Sequence, residues 1–126
     1  MSRFHVTLNS DDCRFGDPAS PDFVKALPAS HPDGIICSND RAAAVLMQSL
    51  AERAIRVPAD LSVAGFDDVR YATLFSVPLT TMRQPCRAIG TVAVQTMLQR
   101  IQNPTLPPRQ ILLSAKLVTR RSTSAK

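Results

Sequence analysis

The chain has 126 residues, of which 44% are hydrophobic and 20% are charged, a composition that fits one globular domain with a core of useful size. The formal net charge is +5, but the basic residues are scattered apart from Arg120 and Arg121, so they do not form the clustered patch typical of a nucleic-acid-binding surface. Three widely spaced cysteines and two histidines favour neither a disulfide framework nor a zinc site. We therefore expect no metal and no cofactor.

The amino-terminal residues do not read as a targeting segment. Residues 1–12 contain one basic residue followed by a short alternating run, and no later stretch approaches 18 apolar residues. Neither a signal peptide nor a membrane span is indicated. We expect a cytoplasmic protein without a membrane partner.

The first predicted elements are a strand and a short helix. Residues 3–8 alternate enough for a strand, and a loop rich in Asn, Asp, Gly and Pro follows. A short helix is predicted at 22–27, because Ser20 and Pro21 make a helix start and Pro28 stops the helix.

The central stretch predicts a strand, a helix and a second strand. The apolar run 35–37 is typical of a strand buried in a parallel sheet. Apolar residues then recur at three- and four-residue intervals, which predicts an amphipathic helix at 41–54 with Asn39 or Asp40 as its cap. Residues 61–66 predict another buried strand. This order is a βαβ unit.

The second half continues the alternation of strands and helices. The stretch 71–85 begins as a loop with a short helical piece and then contains a strand at 80–83. A second amphipathic helix is predicted at 88–102, and the proline-rich residues 103–108 end it. The alternation within 111–118 predicts one or two further strands. The fold class is α/β.

Polar residues follow both strands of the βαβ unit, at the edge where parallel sheets bind ligands. Asn39 can donate and accept hydrogen bonds, and Asp67 can accept them from hydroxyl or amine groups, which suits a polyhydroxyl or nitrogenous small molecule. Asp40 is most simply a helix cap, and Asp68 is most simply a turn residue or loop anchor.

Catalysis finds little support in the sequence. His5 and His31 have no nucleophile nearby in the sequence, and Glu52 is the only glutamate. The acyl-transfer, zinc-hydrolase and nucleotide-binding motifs are missing. Met47 and Met97 lie on or beside apolar helix faces and are predicted to be core residues. No catalytic residue is predicted, and the chain is not expected to be an enzyme.

Several motifs in succession resemble one family. The chain is similar, from about residue 33 to 124, to the C-terminal half of the effector-binding domain of lactose-repressor (LacI/GalR-type) transcriptional regulators. The motifs that carry the resemblance are DGIICSND, RVPADLSVAGFDD, PLTTMRQP and LLSAKLVTRRST. The resemblance implies a periplasmic-binding-protein-like fold, in which two α/β subdomains clasp a small effector and a separate helix-turn-helix reads operator DNA.

The resemblance implies that only part of that architecture is encoded here. The chain matches a three-layer parallel-sheet subdomain, truncated, with the first subdomain and the helix-turn-helix absent. Residues 1–85 and 109–122 would form the sheet subdomain, and 86–104 would be a crossover helix that belongs to the missing subdomain. We expect this helix to pack on a neighbouring copy or to fold back over the sheet edge.

The resemblance also implies which residues touch the effector. Asn39 and Asp67 correspond to effector contacts of family members that sense sugars or purines. Gln84 lies where the chain crosses between subdomains and can face the pocket, and Phe66 would line it.

A homodimer interface is implied as well. Such regulators form their dimers through positions that correspond to Leu74, Phe75 and the exposed face of the helix at 41–54 around Ala44. An apolar loop supports this role. DNA would be bound only through the absent helix-turn-helix.

Three functions remain open at this stage. The first is the effector-binding and dimerisation portion of a regulator that senses a sugar or a nucleobase-like molecule. The alternative is a solute-binding protein for transport, or a stand-alone dimerisation remnant. The third is an enzyme with Asp67 as general base, which would need Asp40 or Asp68 as its partner.

Overall fold

The structure is a computed structural model that describes residues 10–27 and 32–124. At its centre is a four-stranded sheet in the order β1-β2-β3-β4. The strands are β1 (Gly34–Ile36), β2 (Ser62–Asp67), β3 (Thr80–Arg83) and β4 (Lys116–Val118). The first three strands are parallel, and β4 pairs with β3 in the antiparallel direction. The predicted α/β class with parallel strands is confirmed.

Three α-helices accompany the sheet within the described residues. They are α1 (Pro21–Ala26), α2 (Asp40–Ala51) and α3 (Cys86–Gln102). Short 3-10 helices form at Ser10–Asp12 and Arg70–Thr73. Each predicted helix is therefore present, with ends that differ from the prediction by at most three residues. The predicted strand at 3–8, with His5, and also His31 lie outside the described residues.

The βαβ unit β1-α2-β2 forms around one buried face of the sheet. Val63 on β2 is fully buried, and Gly65 points to the same side because side chains alternate along a strand. The helix α2 lies against this side. Among the described residues, ten hydrophobic side chains form the core: Val24, Leu27, Ala43, Leu46, Met47, Leu50, Leu61, Val63, Ala72 and Leu79.

The helix α2 begins with Asn39 as its cap. The Asn39 side-chain oxygen accepts a hydrogen bond from the Ala42 N–H at 2.8 Å, the usual N-cap geometry. The interpretation of Asp40 as the cap is therefore wrong, because the Asp40 side chain is fully buried and turned towards the sheet. The helix ends at Ala51, earlier than predicted, and Ala54 has a positive φ of 57°.

The segment before β4 does not form the additional strand that the alternation allowed. Residues 106–115 contain no strand, and Ile111, Leu112 and Leu113 are exposed. A strand forms only where a partner strand is in reach, and β3 supplies one from Thr81 to Arg83. Pattern alone therefore overestimates the strand content here.

The helix α3 forms where it was predicted but has no buried residue. Ile89, Met97, Leu98 and Ile101 are between 41% and 66% exposed. The prediction that Met97 is a core residue is wrong, whereas Met47 is in the core. Because no α3 side chain is buried, the alternative in which this helix folds back over the sheet edge is not what the structure shows.

Candidate functional site

Polar side chains meet at the carboxyl edge of the three parallel strands. Asn39 follows β1 as the cap of α2, Asp67 is the last residue of β2, and Gln84 directly follows β3. The ladder pairs Asp67 with Arg83, which places Gln84 one residue beyond that pair. This edge of a parallel sheet is where α/β proteins bind ligands.

Asp67 and Gln84 are joined directly. The Gln84 Nε2 donates a hydrogen bond to the Asp67 Oδ1 at 2.6 Å, and both residues are half-buried. No donor among the described residues reaches the second Asp67 oxygen or the Gln84 Oε1. The Asn39 Nδ2 has no acceptor in the same part of the chain, since its hydrogen bond to the helix uses the oxygen. The site therefore combines unused acceptors with an amide donor.

The backbone at the end of β2 is unusual. Asp67 and Asp68 have φ angles of 114° and 56°, in the region that residues with a Cβ seldom occupy. Such conformations cost about 1–3 kcal/mol each and persist only where the surroundings hold them. Two in succession, at the edge that presents Asp67, indicate a turn that is held in place.

Asp68 anchors this turn through two arginines. Its side chain is only 6% exposed, and its Oδ1 accepts a hydrogen bond from Arg120 Nη2 at 2.5 Å while its Oδ2 pairs with Arg83 Nε. Desolvation by burial raises the pKa of Asp68, but the hydrogen bonds and charges of Arg120 and Arg83 outweigh it and keep that pKa below its ordinary value. Asp68 is thus the loop anchor that the sequence indicated.

A buried pair lies beneath the same turn. The Asp40 carboxylate accepts hydrogen bonds from the Thr81 hydroxyl at 2.5 Å and from the Val69 N–H at 2.9 Å. The Thr81 hydroxyl in turn accepts the Asp68 N–H at 3.3 Å. Sequence reasoning missed Thr81, because nothing in the local pattern distinguishes it from the adjacent Thr80.

The remaining predicted ligand residue, Phe66, is half-buried near the end of β2, on the face of the sheet opposite Gly65 by alternation. No contact between its ring and the polar edge is recorded among the described residues. Gln84 also borders a shallow, open depression at the start of α3, which is lined by Gln84, Pro85, Cys86, Arg87, Ala88, Thr91 and Val92.

A metal site requires several ligands close together, and a reactive thiol requires a lowered pKa. In residues 10–27 and 32–124, no three His, Cys, Asp or Glu side chains are grouped so that they could hold a metal ion. Burial raises the pKa of the Cys37 thiol to about 11, so this thiol stays protonated near neutral pH.

The residues predicted for a dimer interface differ in their surroundings. Leu74 is 81% exposed and stands clear of the core. Phe75 is half-buried, packs against the core, and contacts the Tyr71 ring with centroids 5.8 Å apart. Ala44 is half-buried on α2.

Residues 6–123 match the family described as periplasmic binding protein-like domain. The chain belongs to that family. Its fold agrees with that of a LacI family transcriptional regulator from Enterococcus faecium with bound ribose (TM-score 0.69, 28% identity), with 82% of this chain and 38% of that chain aligned. A structure of the lac repressor dimer bound to operator and the anti-inducer ONPF gives a TM-score of 0.71 at 34% identity, covering 81% of this chain and 36% of that one.

Two similar curated proteins are transcriptional repressors. The ribose operon repressor of Haemophilus influenzae is 38% identical over 94 residues, and the HTH-type transcriptional repressor PurR of Photobacterium profundum is 36% identical over 127 residues. These alignments cover 75% and 97% of this chain, but only 28% and 38% of the relatives. The resemblance to part of a LacI/GalR-type effector-binding domain is confirmed, and the chain spans about a third of the length of such relatives.

No helix within residues 10–27 and 32–124 is both long and apolar enough to cross a membrane.

Proposed function

We propose that this chain is the effector-binding and dimerisation portion of a cytoplasmic transcriptional regulator that senses a small polar molecule, a sugar or a nucleobase-like compound. It acts as a binding module and not as an enzyme. Operator binding is assigned to a helix-turn-helix outside this sequence. The helix α3, which exposes Met97, Leu98 and Ile101, is assigned to an interface with the other subdomain of the effector-binding domain.

The observation that carries this proposal is the hydrogen bond between Asp67 and Gln84. It joins two neighbouring strand ends and leaves one oxygen of each side chain available to accept hydrogen bonds from a ligand. Asn39, at the next strand end, adds an amide donor. Unpaired donors and acceptors that converge at a sheet edge are typical of sites for hydroxyl-rich ligands.

The roles of Asn39 and Asp67 can be separated by isothermal titration with ribose and with adenine, which stand for the two ligand classes. We expect the chain to bind one of them, and Asp67→Ala to weaken that binding by about tenfold or more, as the loss of a hydrogen bond to a charged group does. Thermal unfolding should change little, because no structural contact except that from Gln84 involves the Asp67 carboxylate among the described residues.

The control for Asn39 uses its second role as the cap of α2. Asn39→Asp keeps an oxygen for the Ala42 N–H and replaces the amide donor with a charged oxygen that can only accept hydrogen bonds, whereas Asn39→Ala also removes the cap, which costs the helix about 1 kcal/mol. Weaker binding in Asn39→Asp at unchanged stability supports a ligand contact. Unchanged affinity in both Asp67→Ala and Asn39→Asp would remove this edge from the binding site.

The proposed dimer interface is tested by Leu74→Glu, because Leu74 is exposed whereas Phe75 packs against the core. Leu112→Glu is a matched control, since Leu112 is 84% exposed and lies in the segment before β4. Analytical ultracentrifugation should show a dimer of the unmodified chain that is weakened by Leu74→Glu and unaffected by Leu112→Glu. An unaltered dimer in Leu74→Glu would place the interface elsewhere.

A further inference from the structure

We infer that Asp40 and Thr81 are positioning residues for the effector site: together they hold the turn at residues 67–69 and so fix the direction in which Asp67 presents its carboxylate. This inference rests on the proposed function. It assigns a role to two buried residues that do not themselves reach the ligand.

Asp40 lies in the interior of the fold, where a carboxylate is costly to bury. Its side chain is fully buried, and a buried carboxylate is tolerated only where hydrogen bonds replace water. Both oxygens are satisfied, one by the Thr81 hydroxyl and the other by the Val69 N–H. The position at the first turn of the twelve-residue α2 adds the favourable partial charge of a helix N-terminus.

The hydrogen bonds of Asp40 and Thr81 hold the turn that follows β2. Asp40 needs no role as a helix cap, because Asn39 already performs it. The Val69 N–H, which donates to Asp40, and the Asp68 N–H, which donates to the Thr81 hydroxyl, are the amides directly after Asp68 and Asp67. These are the two residues of the turn with positive φ. The network therefore acts on the strained turn and not on α2 alone.

The Asp40 carboxylate needs open space beside β2, which Gly65 provides. A Cβ on Gly65 would overlap the Asp40 Oδ1 and lie 2.9 Å from a Leu79 methyl carbon. Gly65 thus leaves room for the Asp40 carboxylate to reach Thr81 and Val69 across β2. The strand, the helix and the turn are fitted around one carboxylate.

The decisive variants are Thr81→Val, which removes the hydroxyl but keeps the shape, and Thr81→Ser, which restores it. Thr123→Val is the matched control: it removes the hydroxyl paired with Thr80 at 2.9 Å, and Thr80 points to the other face of β3. Amide hydrogen exchange by NMR is measured in the full chain, with the Val63 N–H, which bonds to the Ser122 carbonyl, as internal reference.

In Thr81→Val we expect the Asp68 and Val69 amides to exchange roughly tenfold faster relative to Val63, because each lost hydrogen bond in a charged network shifts opening by about that factor. Thr81→Ser should stay within about twofold of the unmodified chain, and Thr123→Val should leave these two amides unchanged. A uniform increase across the sheet, or none at residues 68 and 69, would show a merely structural role and overturn the inference.

If Thr81→Val fails to fold, Asp40→Asn provides the same test, since an amide can accept from only one of the two donors and exchange should rise at one of the two amides. Titration with ribose and with adenine then separates the two proposals. Binding by the unmodified chain that Thr81→Val retains in full would refute positioning and leave the proposed function intact. Absence of binding of both ligands by the unmodified chain would count against the proposed function, whereas the exchange rates would still decide the role of Thr81.

Discussion

Replacing Gly65 by alanine should strongly destabilise the fold, because the added methyl group has no space beside β2. The new Cβ would overlap the Asp40 Oδ1 and would lie 2.9 Å from Leu79 Cδ2 and 3.2 Å from the Asp40 Cα. Both neighbours are fully buried, so neither can swing into solvent. Overpacking of this kind costs about 1–3 kcal/mol, and displacement of the Asp40 carboxylate from its donors adds about 1–3 kcal/mol more.

The assay is unfolding in urea and by heat, followed by circular dichroism. For a domain of this size, 2 kcal/mol corresponds to a fall in Tm of roughly 10 °C. Gly90→Ala is the matched control, because nothing lies within 4 Å of a Cβ built there. In the interior of α3 that change favours the helix by about 1 kcal/mol, so helix content should rise and the sheet should be unaffected. A Gly65→Ala protein as stable as the unmodified chain would refute the close approach of α2 to β2.

Two further predictions follow from buried polar groups. Ser122→Ala should lower the free energy of unfolding by about 1–3 kcal/mol, because the buried hydroxyl accepts the Thr80 N–H at 2.8 Å and donates to the Val63 carbonyl at 2.6 Å. Urea unfolding measures this, with Ser124→Ala, an exposed position, as a control that should change little. Asp68→Asn should reduce the acid sensitivity of the fold: the pKa of Asp68 is lower in the folded chain than its ordinary value, so its contribution is complete above about pH 4 and is lost as the pH falls through the folded pKa. Unfolding curves between pH 5 and 2 should show a slope against pH that is smaller by up to about 1.4 kcal/mol per pH unit, and an unchanged slope would contradict the pairing with the two arginines.

Sequence reasoning succeeded where the signal is local. The helix predicted at 41–54, the strands on either side and the Thr-Thr-Met strand at 80–83 all form close to where the patterns predicted them. The predicted burial of the strand at 35–37 is wrong, because β1 lies at the edge of the sheet and Ile36 is 83% exposed. The polar edge followed from the topology, because parallel strands bring Asn39 and Asp67 to one side of the sheet.

The rest depends on partners that are distant in the sequence. Asn39 and Asp40 are equally good caps by residue type. Asn39 caps the helix because the Asp40 side chain is instead bonded to Thr81, which lies 41 residues further along the chain. Met97 fits an apolar helical stripe as well as Met47 does, yet only Met47 meets a sheet. The strand predicted near Ile111 lacks a neighbour to pair with. A pattern specifies which side of an element is apolar, but not whether anything covers it.

The hydroxyl of Ser122 also constrains the order of events during folding. It bonds to residues 42 and 59 positions earlier in the sequence, and Arg120 reaches Asp68 over 52 positions. Contacts of such high sequence separation are slow to form, because loop closure costs entropy before any contact rewards it. On the ribosome, β1, α2 and β2 can associate early. The hydrogen bonds by which the buried Ser122 hydroxyl joins β2 to β3 can form only after residue 122 has been synthesised. Until then the nascent sheet exposes the amide of Thr80 and the carbonyl of Val63, and this interval is when we expect the chain to depend most on chaperones.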